Sequence, residues 1–379
     1  MQVRVAKDPS EWNAIVDKSP FAVLHHKYEV CCNQDKAIPL IIEQGDHFFL
    51  FPLSIVDLAK SFRIAFSPIY YYADLLPDSE GSFDLIPSAL NQTLDFLRKI
   101  GVDYLSTSAP AFWSKDYVNL VGSWFKDNNA SIQVIYAHMI PTRNCTFEAI
   151  WKRRVSKSAR NRIRKAEKQG VEVMKIDNAA GIKEWIDDIY QCNLSALKRQ
   201  GRSGAYPDSY KDVYLSELLL SKNLLKDSFN IYAAIFRGRL IAYIIVAEFN
   251  KLMQVNKAMS HTNFLDKCPN DALVAYILKD ACERGFDWFE YGFDRVKYGG
   301  RIKSLYASLQ NFKFKFGFEE IPIFIYRLSL NKKGAILKHL YAFREYAIIR
   351  SASFPEFLRT LPMTLYVKKH RQLATLLQT

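Results

Sequence analysis

The sequence predicts an α/β fold made from two copies of one unit, with a strongly basic helix at their junction. Three observations point to it. Short apolar or alternating runs take turns with longer amphipathic runs along most of the chain. A seven-residue motif occurs twice, as Lys99-Ile-Gly-Val-Asp-Tyr-Leu105 and as Glu283-Arg-Gly-Phe-Asp-Trp-Phe289, aligning Gly101 with Gly285 and Asp103 with Asp287. Each copy closes a helix that follows a strand hairpin and a proline, Pro87 or Pro269.

The first unit reads in order as follows. Ser10 to Val16 is a helix. Ala37 to Ile42 and Asp46 to Leu53 are paired strands around a Gln44-Gly45-Asp46 turn. Phe62 to Tyr72 is an aromatic strand broken at Pro68. Asp84 to Ile100 is a helix with Leu90, Leu94 and Leu97 on one face, and Gly101 leads into a strand. Val118 to Asn128 is a helix and Ser131 to Ile140 a strand.

The junction is Trp151 to Val173. Nine basic residues and one acid, Glu167, lie between Trp151 and Lys168, and no Gly or Pro interrupts the run before Gly170. It can run as one helix, with Ser156 or Ser158 as cap and Ala159, Ile163 and Ala166 as the inward stripe. Gly170 stops it, and Val171 to Val173 alternates as a strand should. The whole chain carries 52 basic and 39 acidic residues, net +13. Counted from the same sequence, Trp151–Lys168 holds +8 and Asn331–Thr379 holds +7, so the remainder is close to neutral at −2. Charge gathered this way implies an anionic partner: phosphate, nucleic acid or an anionic membrane. A merely solvated basic face is the alternative.

The second unit repeats the grammar. Ala180 to Leu197 is a helix, and Phe229 to Phe236 and Leu240 to Phe249 are strands joined by an Arg237-Gly238-Arg239 turn. Leu252 to Met259 is a third strand. Asp271 to Arg284 is a helix with Asn270 as its expected cap, and Gly285 leads into the next strand. Glu290 and Asp294 lie four apart there, so a regular strand puts them on one face. They are candidate proton acceptors, or else partners for Arg295 and Lys297. Tyr298-Gly-Gly-Arg301 follows. Phe312, Phe314, Phe316 and Phe318 alternate with Lys313 and Lys315, which reads as a strand with aromatics on one side. In the tail, 337–349, 355–361 and 365–377 read as basic amphipathic helices, packed on the second unit or lying on an anionic membrane.

Composition excludes other classes. At 49% hydrophobic and 14% aromatic the chain can bury ordinary cores, and no apolar run reaches membrane-span length. The first residues do not read as a signal peptide. The six cysteines have no CxxC or Cys/His spacing, so reduced thiols in the cytoplasm and no metal are expected.

Together the motifs resemble the FemAB-like branch of the GNAT acyltransferase superfamily. They are Ser156-Lys157-Ser158 with Arg160-Asn161, Pro269-Asn270, and Phe312-Lys313 with Phe316-Gly317. The resemblance covers residues 1 to 330 and is most specific in the second half. It implies two tandem GNAT-like domains, 1–145 and 146–330, each a mixed sheet flanked by helices, with 331–379 as a helical tail. It implies transfer of an activated acyl or aminoacyl group onto an amine of a cell-envelope precursor, with acyl-CoA or aminoacyl-tRNA as donor substrate and no bound cofactor. By the same resemblance Lys313 stabilises the oxyanion with Phe312 beside it. Donor or acceptor phosphate is expected on Lys157, Arg160, Asn161, Arg164, Asn270 and Arg301. A lipid-linked acceptor would place the protein at the inner face of the membrane. Two departures stand out. Where GNAT enzymes carry a Gly-rich acetyl-CoA loop, 261–270 has no glycine, and no coiled-coil insert is present. Fem-type tRNA-dependent aminoacyl transfer is the alternative within enzymes. A nucleic-acid-binding protein on the same scaffold is the alternative outside them.

Overall fold

The computed structural model describes residues 2–32, 36–58, 62–67, 74–110, 114–199, 210–294 and 303–339, with the backbone alone at 58, 110, 293–294 and 303–307. The first half runs β1 (Gln2–Val5), α1 (Pro9–Lys18), α2 (Tyr28–Cys31), β2 (Ala37–Gln44), β3 (His47–Leu58), β4 (Phe62–Phe66), β5 (Leu76–Pro77), α3 (Ile86–Lys99), β6 (Tyr104–Pro110), α4 (Lys115–Asp127) and β7 (Ser131–Pro141). The second runs α5 (Phe147–Arg153), α6 (Lys157–Lys168), β8 (Glu172–Ile176), α7 (Ala179–Glu184), α8 (Ile186–Arg199), α9 (Tyr210–Leu225), β9 (Phe229–Phe236), β10 (Arg239–Phe249), β11 (Leu252–Ser260), α10 (Pro269–Glu283), β12 (Trp288–Asp294), α11 (Lys303–Lys315) and β13 (Glu319–Ser329). No described helix is long and apolar enough to cross a membrane.

All strands join one mixed sheet in the order β1-β2-β3-β4-β6-β13-β7-β12-β11-β10-β9-β8, with β5 beside β3. Its centre interlocks the two halves. Residues 319–329, from the second half, pair with β6, while residues 131–141, from the first half, pair with β12. β7 and β13 are themselves paired from Ser131↔Arg327 to Met139↔Glu319. Helices cover the sheet and bury separate apolar clusters, one under α5, α6 and α10, another under α3 and α4, a third under α7, α8 and α9.

The repeated motif folds identically in both places. Gly101 and Gly285 end their helices at φ 78° and 74°, where a side chain would be strained. Three residues later the chain enters a strand parallel to its neighbour. β4 and β6 register through Ile64↔Tyr104 to Phe66↔Ser106, and β11 and β12 through Leu252↔Trp288 to Gln254↔Glu290. The backbone N–H of the motif aspartate docks on that neighbour in each case, Asp103 on the Arg63 carbonyl and Asp287 on the Lys251 carbonyl, both at 2.8 Å.

Several expectations are corrected. The basic run is two helices, α5 and α6, broken at Arg154–Ser156, and Ser156 alone is the cap, its Oγ accepting from Ala159 N at 3.2 Å. The break is tertiary in origin, because Ser156 N donates to the Lys315 carbonyl at 2.7 Å. Phe312 to Lys315 belong to a helix, followed by a turn, and the strand starts only at Glu319. Cys268, at φ 56°, occupies the cap position of α10 in place of Asn270, with Pro269 in the first turn. The helix α9 has no counterpart among the sequence expectations. Of the tail, 332–339 is helical and packs on the first half. Leu337 is buried with Ile64 and Tyr104, and Asn331 Nδ2 donates to Asp103 Oδ1 at 2.7 Å. The tail helices expected beyond residue 339 lie outside the described residues.

Candidate active site

The site begins where two parallel strands part. β11 and β12 register over three residue pairs, ending at Gln254↔Glu290. Beyond that, β11 stays with β10 and β12 stays with β7. Both strands are irregular at the point of parting. On β10 the partner jumps from Val255 at Val246 to Lys257 at Ile245, leaving Asn256 as a bulge. On β12 the partner moves from Met139 at Glu290 to Ala137 at Phe293, with Gly292 at φ 69°. A wedge therefore opens between the carboxyl ends of two parallel strands, a common place for ligands in α/β sheets. Met253 and Phe289 close its floor, both fully buried.

Three segments singled out in the sequence meet at this wedge. The first turn of α10 contributes Asp271, which is almost fully buried (2% side-chain exposure). Its Oδ1 takes the Lys315 ammonium of α11 at 2.5 Å, and its Oδ2 takes Arg162 Nε of α6 at 3.1 Å. A carboxylate in a first helical turn is favoured by the N-terminal dipole, and two cations leave this cluster net positive. Burial opposes the charge on Arg162, but the Asp271 carboxylate outweighs it, so the guanidinium pKa is raised. Nearby Tyr291 of β12 is buried. That burial, with Asp271 adding to it, pushes its phenol pKa upward and keeps it a neutral hydroxyl.

The turn after α11 fits against the α5–α6 break. Gly317 lies at φ 87°, and a Cβ there would come within 2.5 Å of Arg154 Cβ and 3.1 Å of its carbonyl oxygen. Arg154 also pairs with Glu319. Phe316 and Phe318 are buried, and their rings join those of Phe289, Tyr291 and Phe312. The Lys315 ammonium also sits 4.5 Å from the Phe312 ring centroid, a cation–π contact.

The connection from β11 to α10 is tied to the end of α8. Thr262 N donates to Ser195 Oγ at 2.9 Å, and Arg199 Nη1 reaches Thr262 Oγ1 at 2.9 Å and the Ser260 carbonyl at 3.3 Å. Asn270 Nδ2 meets Ser260 Oγ at 3.3 Å, while its buried Oδ1 has no hydrogen-bond partner among the described residues.

Of the residues picked from the sequence, Phe312 stands at the wedge and Asn270 at its α10 side. Lys313 is buried on α11, with 2% exposure, while its neighbour Lys315 makes the contact with Asp271. Glu290 is fully buried on β12. Asp294 pairs with Tyr136 and Glu290 with Met139, so five residues of β12 span four of β7, and the strand expected to be regular between them is not. The side chain of Asp294 and all of Arg301 lie outside the described residues. Lys157, Asn161 and Arg164 are exposed on α6. Arg160 instead folds back, its Nη1 donating to the carbonyls of Trp151 and Val155 at 2.9 Å, and so closes the end of α5. Sequence reasoning passed over Asp271, Arg162, Lys315 and Tyr291. The Pro-Asn-Asp start of α10 was the available signal for Asp271. Lys315 could be preferred to Lys313 only once the segment was known to be helical.

Residues 153–298 match the model of the acetyltransferase (GNAT) domain. No curated protein sequence matches the chain. Among solved structures it is similar to FemX at 11% identity, with TM-score 0.63 over 91% of this chain and 100% of that one. It is similar to L-PGS from Bacillus licheniformis at 14% identity, with TM-score 0.57 over 93% and 100%. The C-terminal domain of a putative lysylphosphatidylglycerol synthetase from Agrobacterium fabrum is similar at 15% identity, with TM-score 0.54 over 89% and 95%. Residues 153–298 are thus similar to a GNAT acetyltransferase domain, within a fold that the chain shares with these three structures.

Proposed function

We propose that this protein is an N-acyltransferase that moves an activated acyl or aminoacyl group onto an amine of a cell-envelope precursor, an amino sugar or a peptide. The observation that carries the reading is the β11/β12 wedge, where α10 begins and where Lys315 is held between Asp271 and Phe312. An ester or thioester donor is already activated, so the protein need only place a neutral amine against the carbonyl and stabilise the developing oxyanion. The amine nitrogen forms the new C–N bond, the C–O or C–S bond to the carrier breaks, and the amine proton leaves toward the departing group or an acceptor. Glu290 and Asp294 are the candidate acceptors. Two lysines of α11 are candidates for the cation, Lys313 by resemblance and Lys315 by its place at the wedge.

An aminoacyl ester carried on RNA suits the site better than acyl-CoA. The connection 261–268 lacks glycine and is filled by Ser195, Arg199 and Thr262, and the first turn of α10 already carries the Asp271 carboxylate. The name lysylphosphatidylglycerol synthetase, borne by one structural neighbour, likewise describes an aminoacyl product. An envelope acceptor would place the work at the cytoplasmic face of the membrane.

The test is a transfer assay with radiolabelled acetyl-CoA and with bulk tRNA charged with labelled amino acids, offered against amino-sugar and peptide amines. Transfer from charged tRNA is expected, with Lys315→Ala or Lys313→Ala lowering the rate by about a hundredfold, the usual size for losing one oxyanion-stabilising group. Absence of transfer from either donor, or full activity in both variants, would overturn the reading.

A further inference from the structure

We infer that the outward face of α5 and α6 is a docking surface for the phosphate backbone of a folded RNA. The face is built by subtraction. Of the nine cations between Trp151 and Lys168, Arg160 is spent on the carbonyls that end α5, Arg162 on Asp271, and Arg154 on Glu319. The other six, Lys152, Arg153, Lys157, Arg164, Lys165 and Lys168, are all exposed, and none forms an ion pair among the described residues. Ala159, Ile163 and Ala166 of the same helix are buried against α10. Every apolar side of α6 is thus committed inward, and its polar side is cationic with one acid, Glu167.

This separates the two common polyanionic partners. A helix that settles into a bilayer surface needs an apolar face free to enter the headgroup region. None of the exposed large hydrophobic residues belongs to α5 or α6. No exposed aromatic is present there to stack on a base either, so the surface reads charge and spacing, not sequence. Lys157, Arg164 and Lys168 stand at i, i+7 and i+11 on one ridge of α6. At a rise of about 1.5 Å per residue they span roughly 16 Å, a length that runs alongside several phosphates of one strand. Arg162, about 140° around the helix from Lys157, joins α6 to the wedge through Asp271. The inference rests on the acyl-transfer reading only for what the RNA carries, since the binding surface stands without it.

The test uses the full chain and a fluorescein-labelled RNA hairpin, titrated by anisotropy across a range of salt. The variant is Lys157→Ala/Arg164→Ala/Lys168→Ala. Its charge-matched control is Lys99→Ala/Lys115→Ala/Lys126→Ala, three exposed lysines of the first half. Losing three phosphate contacts should weaken binding by about a hundredfold near physiological salt and lower the slope of log K against log salt by about 2 to 3. The control should change affinity by less than about fivefold, and matching melting curves show that both variants are folded. Equal weakening in both, or no binding by the wild type, overturns the inference. So does loss of binding to phosphatidylglycerol vesicles with RNA binding unchanged, which would make the face a membrane contact. RNA binding lost only in the first variant, with no transfer activity from any donor, would keep the surface and remove the acyl-transfer reading.

Discussion

The Lys315 ammonium lies 2.5 Å from Oδ1 of Asp271, although 44 residues separate them in sequence. The same carboxylate holds Arg162 from a third segment, so one buried acid ties together the basic helix, the Pro-Asn helix and the aromatic-lysine helix. Each motif, anonymous alone, acquires a position through that contact.

The cluster should be unequal in its tolerance of change. Asp271→Ala leaves two cations facing each other beside a buried wall and should cost about 3 kcal/mol. Arg162→Ala removes a half-exposed partner and should cost less than about 1 kcal/mol. Urea unfolding of the two variants checks the order, and equal losses would mean that Asp271 is not the centre of the cluster.

Gly317 and Gly170 both adopt positive φ, 87° and 82°, but only Gly317 has a neighbour where its Cβ would be. Gly170→Ala should cost about 1 kcal/mol, from backbone strain alone. Gly317→Ala adds overlap with Arg154 and should cost about 3 kcal/mol or loosen the α5–α6 break. Thermal melts of the pair isolate the contribution of close approach.

Asp74 is a buried acid in the first half. Thr107 donates to its Oδ1 at 2.7 Å, and Tyr117 Oη lies 3.2 Å from Oδ2 but only 2.6 Å from the Leu75 carbonyl. Burial raises its pKa to about 7, against the pull of those hydrogen bonds. A raised carboxyl pKa gives stability that is present below the ordinary value near 4 and lost as pH climbs toward 7. Buried His25 and His26, lowered by desolvation to about 4 and about 3, act in the opposite sense, costing stability as pH falls below 6.5. The Asp74 part is isolated by difference. Relative to wild type, Asp74→Asn should gain stability between pH 5 and pH 7 at up to about 1.4 kcal/mol per pH unit. Paired denaturant curves at the two pH values decide it, and a pH-independent difference would show that Asp74 is ionised throughout.

Arg160 distinguishes a structural cation from a binding one. Arg160→Ala should cost about 2 kcal/mol, because a charged donor to the exposed end of α5 is lost. It should leave the salt slope of RNA binding unchanged, whereas each of Lys157, Arg164 and Lys168 contributes about 1 to that slope.

The alternating grammar, the two-fold repeat and the segregated charge were legible in the sequence, because each depends on local periodicity or on composition. Gly101 and Gly285 announce their helix ends through a conformation that other residues resist, so the repeat could be read without any long-range information. The assignment of Phe312–Phe318 to a strand went the other way. A two-residue aromatic alternation is compatible with a helix whose ends are buried, and only packing against Arg154 and Tyr291 selects between them. The break at Ser156 has the same origin, since a carbonyl from α11 takes the N–H that a continuous helix would have kept. Which lysine reaches the wedge, which arginine is spent on a helix end, and how β7 and β13 cross at the centre of the sheet all depend on contacts between residues far apart in sequence. Local preference carries no record of those contacts, so tertiary structure alone decided them.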